Sequence, residues 1–323
     1  MMSRRLRAAQ TVAVLLIAAG CGDATGPGGF ASGFPDRLSE VNGVPAELSS
    51  LWTPADAEGR IQFYFAPYWP LWTNGSEKFR HLVLPAGTTV NTANPSSWDF
   101  PVGTMFFKTF SYRNPQGALR HVETRILRYA GPGWETVAYE WQDDQRDARR
   151  LTGRERVGVA VVREDGITLT HLIPSAADCQ DCHGNAPPSF ILGFNSRQLV
   201  EPHTGSTSYL GELADAGLMS AAIAAPPRVP DSTATTRDIL GYVMGNCIHC
   251  HDGGRAFSQD PTVFMASIVG GPAPAGGIEI VRGQPDSSVL YRRVRDRVMP
   301  PVGVQVVDQA FVNRLRDWIG SLD

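Results

Sequence analysis

Four of the five cysteines stand in two short runs of one pattern. Cys179-Gln180-Asp181-Cys182-His183 is the first and Cys247-Ile248-His249-Cys250-His251 the second. Cysteines three apart on a helical turn put both sulfurs on one face, where they reach the two vinyl groups of a single haem. The histidine that follows, His183 or His251, then lies beneath the iron as its proximal ligand. Two other chemistries use paired cysteines. A structural zinc site usually places its pairs much closer together and needs no histidine after each. A thioredoxin-like redox pair does not explain two copies, each with its histidine. The expectation is therefore two covalently bound haem c groups. The remaining histidines read as ordinary residues: His249 is expected to face solvent, and His81, His121, His171 and His203 to sit in strands or loops.

The fifth cysteine, Cys21, belongs to a different kind of signal. Arg4, Arg5 and Arg7 precede an apolar run from Ala8 to Gly20, and Cys21 ends it. A charged head, a short apolar run and small residues before a cut site make an export signal, and the run is too short to cross a bilayer as a helix. Ala18-Ala19-Gly20-Cys21 resembles the lipoprotein processing box, in which the cysteine carries the lipid, although Ala18 stands where Leu is usual. Lipidation leaves no unassigned thiol in an oxidising compartment. The expected organisation is a signal peptide over 1–20, a Gly-rich tether over 21–35 and a mature chain on the periplasmic face of a bacterial membrane.

Composition bounds the rest. A chain of 323 residues has room for about two domains, and 42% hydrophobic against 19% charged residues can build a core. The formal charge is −3, with no long basic stretch, which argues against a general nucleic-acid binder. Loss of the signal's three arginines takes the mature charge to about −6. Lys78 and Lys108 are the only lysines; every other basic residue counted with them is arginine.

Elements must hold these groups in place. Alternation and turn signals predict strands over 61–65, 79–84, 104–112, 120–129, 134–141, 157–162 and 167–173, the last two joined by Asp165-Gly166, a strong hairpin signal. This predicts an antiparallel β-sheet domain over 36–223, and the first Cys-x-x-Cys-His run follows its last strand. A short helical stretch is expected over 211–219 and a linker over 224–234. Thr235 or Thr236 then caps a helix that carries Ile239, Leu240, Val243 and Met244 on one side into Cys247. Asp308 caps a closing helix with Phe311, Leu315, Trp318 and Ile319 at helical spacing.

A helix running into Cys-x-x-Cys-His, a Met-Pro-Pro loop at Met299-Pro300-Pro301 and a closing helix with an aromatic resemble the small helical cytochrome c domain. That resemblance covers 235–323 and implies an all-α domain carrying the second haem, with Met299 as distal ligand opposite His251. A His/Met pair holds the potential high. Met265, so soon after His251, is the poorer candidate. Over most of the mature chain the order of segments is similar to a family of dihaem c-type cytochromes of the bacterial envelope. The matching stretches include Phe100-Pro101-Val102-Gly103-Thr104, Glu123-Thr124-Arg125, Ile173-Pro174-Ser175 and Gly283-Gln284-Pro285-Asp286. This likeness implies fold and cofactor rather than a reaction. The first domain alone resembles the β-sheet cytochromes that include cytochrome c′-beta and the lysine-cross-linked hydroxylamine-oxidising cytochromes. There Lys108 falls where a haem-bonded lysine stands, but Thr109 replaces the usual Glu.

The leading function is electron transfer between a membrane enzyme and an unidentified redox protein. The alternative is a haem enzyme acting on peroxide, nitric oxide or hydroxylamine at an open first haem, with the second haem as relay. A sensor is a third class that nothing in the chain demands. Arg292, Arg293, Arg295 and Arg297, just before Met299, are either a docking face for an acidic partner or a solvated helix face with propionate contacts.

Overall fold

A computed structural model describes residues 30–31, 33–45, 52–53, 58–95, 98–183, 191–230, 233–251, 280–301 and 303–322, without the side chains at 52–53 and 180–183. The expected export signal, Cys21 and Met265 lie outside the described residues, as do the side chains of Cys182 and His183.

Seven strands form one antiparallel meander in chain order: β1 (Trp52–Thr53), β2 (Ile61–Tyr64), β3 (Glu77–Leu84), β4 (Met105–Arg113), β5 (Leu119–Tyr129), β6 (Trp134–Trp141) and β7 (Ala148–Arg150). The strands alternate because both faces of the pleat are covered by different things. Phe107, Ile126 and Val137 are register partners on β4, β5 and β6. They share a core with Val159, Val161 and Leu169 of a separate hairpin, β8 (Val157–Val162) and β9 (Thr168–Ile173). One position along, Leu82, Phe106 and Leu127 are partners on β3, β4 and β5 and pack with Phe63, Phe65 and Phe194. The Asp165-Gly166 turn forms as expected, with the Arg163 amide donating to the Ile167 carbonyl at 2.9 Å.

Phe30, Ala31 and Phe34, at the end of the stretch expected to be tether, are buried in the first of these cores. Phe30 presses on Gly153, and its amide donates to the Thr152 carbonyl at 2.9 Å.

Six helices are present among the described residues: α1 (Ala176–His183), α2 (Ser196–Leu199), α3 (Tyr209–Asp215), α4 (Ala234–Asn246), α5 (Val289–Arg295) and α6 (Gln309–Gly320). A two-strand ribbon, β10 (Pro202–Thr204) with β11 (Thr207–Ser208), precedes α3. Thr233, two residues before the expected cap, starts α4: its hydroxyl accepts from the Thr236 amide at 3.1 Å. Asp308 caps α6 as read from the sequence, accepting from the Phe311 amide at 3.0 Å. No helix among the described residues is long and apolar enough to cross a membrane.

The fold class needs correction. An antiparallel β domain is there, but no all-α cytochrome c domain is evident among the described residues of 235–323. The apolar stripes of α4 and α6 do meet: Ile239 and Val243 pack with Phe311, Leu315 and Ile319. Yet that core also takes Trp69, from the loop that joins β2 to β3, at 8% exposure. A Cβ on Gly241 would stand 2.1 Å from the Trp69 ring, and one on Gly245 would stand 2.3 Å from the Trp69 carbonyl oxygen. These two glycines, four apart on one helix face, open the groove that the tryptophan fills.

Polar bonds extend the same contact. The Trp72 amide donates to Asn246 Oδ1 at 2.7 Å, and Trp72 Nε1 to the Val306 carbonyl at 2.7 Å. Asn74 donates to the Gly303 carbonyl at 2.9 Å and accepts from the Val306 amide at 2.9 Å. Gln198 holds Trp69 by both backbone groups, at 2.9 and 3.0 Å. The helices are therefore a layer built onto the sheet through residues 65–76. Helical periodicity shows that α4 has an apolar face; it does not show that a distant loop supplies the partner.

Candidate functional site

Where the helical layer meets the sheet, a cavity of about 320 Å³ opens. Cys179 of the first run lines it, and so do Cys247, Cys250 and His251 of the second, with Met299. The elements explain the placement. Ser175 starts α1 with a capping box: its hydroxyl accepts from the Asp178 amide at 3.3 Å, while Asp178 Oδ2 accepts from the Ser175 amide at 2.9 Å. Arg156 Nε donates to the same carboxylate at 2.8 Å. The hydrogen bond from Arg156 outweighs burial and holds the Asp178 carboxyl well below its ordinary range. Cys179 thus sits in the first turn of a pinned helix. Cys247 follows α4 directly, and its amide still donates to the Val243 carbonyl at 2.8 Å. Met299 follows α5, tied back by its amide to the Arg293 carbonyl at 3.0 Å.

Electrostatics separate the members of the second run. Burial pushes the Cys247 thiol up to about 12, so in the chain alone it stays protonated. Burial, then the charges of His249 and Arg293, pushes His251 below its ordinary value and favours the neutral ring. A neutral imidazole is the form that ligates iron. No group of three or more His, Cys, Asp or Glu gathers into a metal-binding cluster among the described residues.

Several sequence expectations meet a different placement. His249 is half-buried and lines the cavity instead of facing solvent. Arg293 also lines it, whereas Arg295 pairs with Asp286 at 3.0 Å and with Asp296 at 2.8 Å. Arg297 donates to the Gln305 carbonyl at 2.9 Å, and Arg292, Arg295 and Arg297 are exposed. His81, His121, His171 and His203 do sit in strands, as expected: His121 bonds Ser111 at 2.7 Å, and His203 stacks on Tyr209 with ring centres 3.9 Å apart. His81 is 1% exposed, has no hydrogen-bond partner on either ring nitrogen among the described residues, and is not among the residues that line the cavity. Burial holds it down at about 4, hence neutral.

Lys108 does line the cavity, while Thr109 points into the sheet and shares a hydrogen bond with Thr124 at 2.7 Å. Around Lys108 stand residues that no motif singled out. Arg80, Lys108 and Arg125 are direct register partners on β3, β4 and β5, and all three line the cavity. Behind Arg125, fully buried Glu123 accepts from both its Nε and its Nη2, the latter at 3.0 Å. Glu123 also bonds His171 Nε2 at 2.8 Å, and His171 Nδ1 bonds the Tyr112 hydroxyl at 3.0 Å. Burial raises the Glu123 carboxyl, but Arg125 and the His171 bond outweigh it and hold it at about 2. An ionised Glu123 can only accept, so His171 Nε2 carries a proton toward it. Lys78 and Arg80 on β3, and Glu123 and Arg125 on β5, stand two apart, so each pair shares one face of its strand, but nothing in the sequence aligns the two pairs.

The chain matches no family model, no curated protein and no solved structure.

The residues on the cavity fit a covalently held haem. Sulfur side chains stand beside apolar and aromatic walls such as Phe65, Trp69 and Phe106, with a neutral histidine, a thioether and guanidinium groups on the same surface. Cys179, Cys182, Cys247 and Cys250 would attach two haem c groups. His183, His251 and Met299 would ligate iron.

Proposed function

We propose that the chain is a dihaem c-type cytochrome that transfers electrons in the bacterial cell envelope, anchored through Cys21 to the periplasmic face of a membrane. The observation that carries this reading is the shared cavity: cysteines of both Cys-x-x-Cys-His runs open on it together with Met299. When bound, haem c supplies a one-electron couple at its iron. The chain's part is to hold, tune and insulate. The aromatic wall excludes water and lowers the local dielectric, which raises the cost of changing charge and so sets the potential. His251, kept neutral by burial, offers a lone pair, and Met299 offers a soft sulfur whose pairing with histidine raises the potential. Redox exchange would be with a protein partner in the envelope.

Optical spectra of the ferric and ferrous protein, with and without carbon monoxide, test the reading. Two six-coordinate haems that ignore carbon monoxide are expected of an electron carrier. One ferrous haem that binds it turns the assignment to an enzyme acting on a small ligand such as peroxide, nitric oxide or hydroxylamine. Mass spectrometry of the mature N-terminus tests the anchor: an unmodified Cys21, or a start elsewhere, means ordinary secretion.

A further inference from the structure

The sheet wall of the cavity carries a concentration of positive charge of which, among the described residues, only Arg125 has a carboxylate ion-pair partner, Glu123. Arg80, Lys108 and Arg125 face one another across three adjacent strands, and Lys78 lies two residues before Arg80 on the same face. Both lysines of the whole chain are therefore here. Like charges directly opposite in a sheet repel, and a buried cation without a counter-charge is costly.

The described residues offer little compensation. Glu123 is engaged by Arg125 and His171. Arg80 is 6% exposed, and the one hydrogen bond its guanidinium makes among the described residues is a long one, to the Lys78 carbonyl at 3.4 Å. Lys78 donates to the Ser76 carbonyl at 3.0 Å. Lys108 Nζ lies 4.9 Å and Arg125 Cζ 4.5 Å from the centre of the Phe110 ring, so one ring face or edge serves two cations. No carboxylate forms an ion pair with Arg80, Lys78 or Lys108 among the described residues. A planar guanidinium and an ammonium converging on a cavity from neighbouring strands suit an oxyanion of one or two charges, which a guanidinium binds through paired N–H groups.

We propose that Arg80, Lys108 and Arg125 form a binding site on the cavity wall for a small oxyanion, either a free inorganic anion or the carboxylate of a group held in the cavity. The free-anion form of the inference rests on the sheet wall alone; the carboxylate form rests on the haem reading. The state of the lysines supports it. Burial, then Arg80 and Arg125, pushes Lys78 down to about 7 and Lys108 well below its ordinary value, as expected of a cluster that lacks its counter-ion.

Sulfate is the probe for the free anion. The mature protein is melted across a sulfate series against chloride at matched ionic strength, alongside Lys108→Met. A saturable rise of the melting point, with the apparent sulfate affinity lowered at least tenfold in the variant, is expected of a free-anion site. Resonance Raman of the haem propionate modes is the second arm. If sulfate does nothing but those modes shift in Lys108→Met, the wall holds the cofactor's own carboxylate. If sulfate acts no differently from chloride and the modes stay in place, the site is refuted. Should Lys108→Met fail to fold, Arg80→Gln is read the same way. Haem content by denatured absorption is measured throughout, and the sulfate arm is readable on a chain without haem, so loss of this site and loss of the haem assignment are told apart.

Discussion

Two buried residues make the folded chain sensitive to acid in separate windows. His81 is held at about 4 by burial, against an ordinary value of 6.5. The unfolded chain therefore binds its proton first, and stability falls as the pH drops from 6.5 to about 4. Two and a half units correspond to about 3 kcal/mol. His81→Phe should remove that loss, so urea unfolding of wild type and variant should diverge between pH 7 and 4; superimposable pH dependences would refute it. Glu123 acts lower down. Its carboxyl sits at about 2 in the fold against 4.5 ordinarily, so its contribution is present above 4.5 and lost as the pH falls through 2. Glu123→Gln leaves Arg125 beside a neutral amide and should cost about 3 kcal/mol at pH 7, measured by the same unfolding. A cost under 1 kcal/mol would mean that Arg125 finds another counter-charge. Neither residue carried a sequence signal of its role. Histidine and glutamate in a strand look solvent-facing until the register shows which pleat they occupy.

Helix α4 offers a test in which the sign itself is informative. A glycine inside a helix is ordinarily improved by alanine, by about 0.5–1 kcal/mol. At Gly245 the new methyl group would meet the backbone oxygen of Trp69 at 2.3 Å, and backbone cannot swing aside. Gly245→Ala should therefore destabilise by about 2 kcal/mol, as overpacking does, read from the denaturation midpoint. A gain in stability would show that the loop carrying Trp69 is not fixed on the helix. At this scale much was legible. Trp134–Trp141 and Val157–Val162 have the boundaries that alternation implied. β3, however, begins at Glu77, two residues earlier than the apolar run, because Glu77 and Lys78 already pair with Ser111 and Phe110 of β4. β1 and β7, two and three residues long, are too short to show a period. The all-α reading of 235–323 failed for a related reason. Amphipathic helices announce that they bury one face, and here part of the burying surface, Trp69, lies more than 160 residues away in sequence.

For the molecule as a whole, the two cysteine runs were legible from spacing alone, but their convergence was not. Nothing in the distance between Cys179 and Cys247 along the chain tells that both open on one cavity. The convergence makes a prediction. Replacing Cys247 and Cys250 with Ala should leave one covalent haem by denatured absorption, and the potential of the one that remains should move, because its neighbour in the same enclosure is gone. Two haems retained would sink the attachment assignment, and an unmoved potential would sink the common enclosure. The enclosure also has a history in time. Its walls draw on Phe30 at one end of the described chain and Gly303 near the other, and residues 65–76 cannot meet Asn246 or Val306 until those have been made. Contacts of such long sequence separation carry a high loop-closure entropy, so closure is expected late in folding. Once closed, the fold leaves Cys250 exposed and covers Cys179 and Cys247 in part. The connectivity thus grades access: a group joined to Cys179 or Cys247 meets them most openly while the sheet and its helices are still apart.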